Sequence, residues 1–179
     1  MSNENLELFD LDSGDLDQFD KDVGDLQVIS YFPPGKYAWN IKSAKKNVKV
    51  DEKTGQERKD INILFEMKEC IKLSNEEEDK EELPEVGSLM SFFIPNPVLP
   101  PDSSANFPYR KFRFMMNKLL GKENLVGRNI DQQLELLVGM FHSDYHVTFS
   151  TKDNVYDNPK TGMKETRSQP AEDFEAVEG

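Results

Sequence analysis

The chain has 179 residues, 36% hydrophobic and 31% charged, with a formal net charge of −12; this allows one domain with a helical insertion and a polar remainder that is partly unfolded. Its single cysteine, Cys70, excludes an internal disulfide and a stapled, secreted scaffold. Met1 to Asp10 has neither a basic region nor an apolar segment, and no run approaches the roughly 20 apolar residues of a membrane span, so the expectation is a soluble, cytoplasmic protein with no membrane partner.

The charge is distributed unevenly. Residues 1–27 carry a net −8, residues 75–85 a net −6 and residues 171–179 a net −4, which leaves +6 on the rest of the chain. Phosphate binding depends on local field rather than total charge, so an acidic chain with a basic body remains a candidate for nucleic acid.

In chain order, residues 1–27 form a loose Leu/Phe-Asp repeat (Leu8-Phe9-Asp10-Leu11-Asp12, Leu16-Asp17, Phe19-Asp20) broken by Gly14 and Gly24, which reads as a disordered acidic segment. Asp10, Asp12, Asp15 and Asp17 lack the order of a calcium loop. The domain, 28–170, opens at the turn Phe32-Pro33-Pro34-Gly35. A first strand follows over 36–42, with Tyr37, Trp39 and Ile41 on its inner face. A long basic loop around Gly55 leads to a second strand with Ile61, Ile63, Phe65 and Met67 inward. After the acidic insert at 75–85, a third strand spans 89–94 and stops at Pro95 and Pro97.

Beyond a Pro/Ser-rich loop at 98–106, a helix capped by Asn106 carries Phe112, Met115, Met116, Leu119 and Leu120 on one stripe and ends at Gly121. A shorter helix over 129–138 stops at Gly139. A fourth strand then covers 140–150, a loop 152–162, and a fifth strand 163–168. Residues 171–179 read as a disordered acidic tail. The predicted class is mainly β with a helical insertion: a five-stranded barrel of the oligonucleotide-binding (OB) type, its helices between strands three and four, flanked by acidic disordered tails. In such a barrel the loops joining strands one to two and four to five flank the ligand face; here they are 44–60 and 152–162.

Catalytic constellations are missing. His142 and His146 have no intervening glutamate of the H-E-x-x-H kind, Cys70 has no recognisable base, and the carboxylates occur in runs. Lys-Thr-Gly at 53–55 and 160–162 is not a phosphate-binding loop, because the order is reversed and no helix follows. No enzyme, metal or cofactor is therefore expected.

What remains is basic residues interleaved with aromatics, as sequence-tolerant binding of single strands requires. The candidate cations are Lys42, Lys45, Lys46, Lys49, Lys53, Arg58 and Lys59 around the first loop, and Lys152, Lys160, Lys164 and Arg167 around the second. Candidate stacking residues are Tyr156 and one of the neighbours Phe92 and Phe93, which face opposite ways on a strand; Trp39 reads as core. The tail residues Glu172, Asp173, Phe174 and Glu175 are candidates for a polyanion that competes with DNA and contacts partner proteins.

Pro34-Gly35-Lys36-Tyr37 with Trp39 and Ile41, then Lys53-Thr54-Gly55 and the strand at 61–67, resembles the opening of phage-encoded single-stranded DNA-binding proteins of OB fold. Leu137-Val138-Gly139 and Asp157-Asn158-Pro159-Lys160-Thr161-Gly162 resemble that family's closing hairpin. The likeness spans about 33–170; the acidic N-terminus and the insert at 75–85 depart from the family's pattern, and the terminal Pro-Phe of bacterial tails is absent. It implies a protein that coats single-stranded DNA in viral replication, recombination or repair, in the host cytoplasm, meeting replication or recombination proteins through its tails and compatible with a homo-oligomer. A competing expectation is an acidic DNA mimic that inhibits a basic host protein.

Overall fold

The computed structural model describes residues 28–29, 31–95 and 107–179. The expectations for residues 1–27, for the 98–106 loop and for the Asn106 cap fall outside them. Six antiparallel strands form one open sheet: β1 (Gly35–Val50), β2 (Glu57–Leu73), β3 (Leu89–Ile94), β4 (Tyr145–Asp157), β5 (Lys164–Pro170) and β6 (Glu175–Glu178). Their order is β3-β2-β1-β4-β5, with β6 also paired to β4. Helices α1 (Glu76–Asp79), α2 (Phe107–Leu120), α3 (Lys122–Leu125) and α4 (Ile130–Phe141) lie between strands, with a 3-10 turn at Lys80–Glu82. The acidic insert thus contains α1 and this turn. No helix among the described residues is long and apolar enough to cross a membrane.

The first two strands are much longer than their apolar alternation predicts. Outside the core, lysines and asparagines occupy the ladder, so side-chain pattern is silent there. Backbone pairing continues nonetheless, from Ala44↔Ile63 out to Val50↔Glu57. The supposed basic loop is therefore mostly strand, and only Asp51–Gln56 turns. Register slips between Ile41 and Ser43, a bulge that reverses which β1 residues face inward.

Helix α2 keeps the predicted stripe, with Phe112, Met115, Met116, Leu119 and Leu120 all buried. Asn129 caps α4 in a reciprocal box with Gln132. This helix passes through Gly139, which sits in open space, and ends at Phe141. The fourth strand accordingly starts at Tyr145 rather than Met140.

The core is aromatic. Trp39 stacks on Phe149 at 5.0 Å with planes 8° apart, while Phe32 meets Trp39 edge-on at 5.0 Å. Tyr37 is buried too, donating to the Pro33 carbonyl at 2.6 Å; burial is the main reason its hydroxyl is held well above the usual phenol range. Burial likewise raises the partly buried Cys70 thiol.

Two features fix the segments that flank the central strands. The arm before β1 touches both outer strands: the Ile29 amide donates to the Leu89 carbonyl of β3 at 2.9 Å, and Ser168 of β5 accepts from the Phe32 amide at 2.6 Å and donates to its carbonyl at 2.8 Å. The expected disordered C-terminal tail is instead part of the sheet. The Ala171 amide donates to the Ser150 carbonyl at 2.7 Å. Asp173 accepts from the Ser150 amide at 2.8 Å and its hydroxyl at 2.6 Å, and Phe174 is buried 5.2 Å from Phe149. One large apolar side chain with a pocket outweighs the segment's acidity.

Candidate nucleic-acid interface

Side chains alternate across a strand, so the registers divide the predicted site residues between two faces. Trp39, Ile61, Ile63, Phe65, Phe92 and Phe149 face the core. The opposite, outer face carries Lys45, Lys49, Arg58, Lys152, Arg167, Phe93 and Tyr156. Lys42, in the bulge, joins them through its ion pair with Glu66 at 3.4 Å. Lys59 and Lys164 fall on the core-side register, beyond the packed region. Lys46 does as well, and pairs with Asp131 at the start of α4 at 2.9 Å. The structure therefore separates these three from the other cations.

Phe92 is 8% exposed and Phe93 52%, so Phe93 is the surface member of that pair and Phe92 is a core residue. On the outer face Phe93 lies opposite Asn62, which lies opposite Lys45. This row runs across three strands as an apolar plate, an amide and a cation. Ser91 donates to the Asn62 Oδ1 at 2.6 Å, orienting the amide. Asn62, Ser91 and Lys36 also lie on this face but are not among the candidates above; counting every second residue from Phe93 finds Ser91.

Several acids of the outer face are already bonded. Asp60, buried, accepts from the Arg58 Nε at 2.8 Å, Glu66 pairs with Lys42, and Glu175 lies 3.7 Å from Lys36. Glu165 accepts from the Tyr156 hydroxyl at 2.8 Å and the Asn158 amide at 3.0 Å. The two hydrogen bonds hold the Glu165 carboxyl below its ordinary range, and the bond to Glu165, with some loss of hydration and the carboxylate's charge, raises the Tyr156 phenol. Arg167 lies over the Tyr156 ring, its guanidinium carbon 4.5 Å from the centroid.

The two hairpin tips are the same turn built twice. In Asp51–Gln56 the Gly55 amide donates to the Asp51 carbonyl at 2.8 Å, and the Asp51 amide to the Gln56 carbonyl at 2.9 Å. In Asn158–Met163 the equivalent bonds are 2.7 Å and 2.9 Å. Each first residue accepts from the amide two positions on, Lys53 at 2.7 Å and Lys160 at 2.9 Å. Gly55 and Gly162 close the turns at φ of 70° and 69°, where a side chain would be strained. Each turn thus presents one exposed lysine in the same place. Because β1 and β4 are antiparallel, Lys53 and Lys160 leave the sheet at opposite ends.

The C-terminal candidates are not a free anion. Phe174 is core, Asp173 caps Ser150 and Glu175 sits in β6, while Glu172 is exposed. Among the described residues no group of three His, Cys, Asp or Glu side chains could hold a metal ion. Comparison with family models, with curated proteins and with solved structures finds no match for this chain.

Proposed function

We propose that the chain is a non-enzymatic single-stranded DNA-binding protein, and that its sheet is an OB-type barrel left open between β3 and β5. The strand order supports the barrel: the five-stranded path has β3 and β5 at its two ends, and the arm before β1 bonds to both. A strand path across the outer face would lie between two matched lysine-bearing turns, the loops such barrels use.

The observation that carries the reading is the segregation of Lys45, Lys49, Lys152 and Arg167 onto the face that also exposes Phe93. Cations there can follow phosphates while an aromatic plate takes an unstacked base, each stack contributing about 1–3 kcal/mol. Duplex DNA has its bases stacked and offers nothing to Phe93. The biological role that fits is coating exposed strands during viral DNA replication, recombination or repair.

Fluorescence anisotropy of labelled oligo-dT titrated with the full chain tests this. The expected result is salt-sensitive binding, with log affinity falling by about 0.7 per log unit of salt for each phosphate contact, and weaker binding to duplex. Failure to bind oligo-dT at low salt, or equal binding to duplex, refutes it.

A further inference from the structure

We infer that Arg167 is a base-stacking platform: its guanidinium, held over the Tyr156 ring, receives an unstacked base of a single strand on its exposed side. This deepens the single-strand reading and rests on it. It also reverses the simplest assignment of the pair, in which Tyr156 stacks and Arg167 holds a phosphate.

The geometry decides between these. Tyr156 is half-buried and one face of its ring is already covered by the guanidinium at 4.5 Å, while Arg167 itself is exposed. The ring is fixed from its far end by the hydroxyl's bond to Glu165 at 2.8 Å. Glu165 is fixed in turn by Asn158 at 3.0 Å, the residue that starts the Lys160 turn. An arginine two residues along a strand from a carboxylate can close on it as an ion pair, as Arg58 does on Asp60 at 2.8 Å. Here the Glu165 carboxylate takes its hydrogen bonds from Tyr156 and Asn158, and the Arg167 guanidinium sits over the ring instead.

A guanidinium is planar, delocalised and weakly hydrated, so it stacks on aromatic faces and on bases alike; an ammonium has the charge without the plane. Tyr156 therefore acts as a positioning residue that holds the plate before ligand arrives, which reduces the ordering cost of binding. On the outer face Arg167 lies opposite Asn154, and the next row pairs Lys152 with Gln169. A base on Arg167 would place its phosphate within the field of the neighbouring lysine.

The test compares oligo-dT with an abasic strand of equal length and charge, titrated with wild type, Arg167→Lys and Tyr156→Leu. Arg167→Lys is expected to lower the ratio of dT affinity to abasic affinity by about fivefold or more, and Tyr156→Leu to lower it in the same sense. Equal losses on both strands for Arg167→Lys would make Arg167 a phosphate contact and overturn the inference. An unchanged ratio in both variants would overturn it as well. If wild type binds neither strand at low salt, the single-strand reading itself has failed, a result distinct from either.

Discussion

Replacing Phe174 by alanine separates a structural C-terminus from a free acidic tail. Phe174 is 2% exposed, packs 5.2 Å from the Phe149 ring, and so adjoins the Trp39–Phe149 stack at the centre of the core. Removing a buried phenyl ring loses its transfer free energy and leaves a cavity, together about 3–5 kcal/mol. A domain of this size is stable by roughly 5–15 kcal/mol, so the loss is a large fraction of the total. At about 2–4 °C per kcal/mol, the midpoint should fall by roughly 6–20 °C. Urea unfolding followed by the fluorescence of Trp39, the only tryptophan, reports directly, because that indole lies in the affected cluster. Glu172→Ala, two residues away and exposed, is the control and should change stability by no more than about 0.5 kcal/mol. If Phe174→Ala behaves like this control, the segment is a tail in solution and the assignment of β6 to the fold is refuted.

The neighbours Phe92 and Phe93 should behave oppositely. Phe92→Ala is expected to cost about 3–5 kcal/mol of stability, whereas Phe93→Ala should leave the unfolding midpoint nearly unchanged and weaken oligo-dT binding by about 1–3 kcal/mol; parallel urea and anisotropy titrations read both. Asn129→Ala removes the acceptor of the Gln132 amide at 2.9 Å and should destabilise by about 1 kcal/mol, measurable as a lower urea midpoint at constant slope. Tyr37 is held neutral in the fold above its unfolded value of 10.0. The resulting stability is fully present below pH 10 and is lost as pH rises beyond it, so unfolding free energy should fall on the alkaline side. Tyr37→Phe should flatten that alkaline fall, and should lower neutral-pH stability by about 1 kcal/mol through loss of the bond to Pro33.

Much of the architecture is local and was therefore legible. The periodicity from Phe112 to Leu120 specifies one buried stripe whatever packs against it. Asp51 to Gly55 and Asn158 to Gly162 carry their turn chemistry in five residues, while the cap that Asn129 and Gln132 close is as local but escapes a reading by periodicity, which counts Asn129 inside the helix. The order of the first five strands and the two longer helices follows from such segments, as does the uneven charge that made a basic surface conceivable in an acidic chain.

Tertiary structure decided what depends on distant neighbours. The outer halves of β1 and β2 are held by backbone pairing between residues such as Val48 and Lys59, which leaves no hydrophobic alternation to read. Alternation showed that one of Phe92 and Phe93 must face outward, but only the sheet's packing shows which. Lys46 looked like its basic neighbours until the bulge after Ile41 turned it toward Asp131. The C-terminal acids suggested a solvated tail, yet Phe174 has a pocket because Phe149 lies beside it in the folded sheet. Short-range interactions are written in consecutive residues, whereas burial depends on what the other elements leave uncovered.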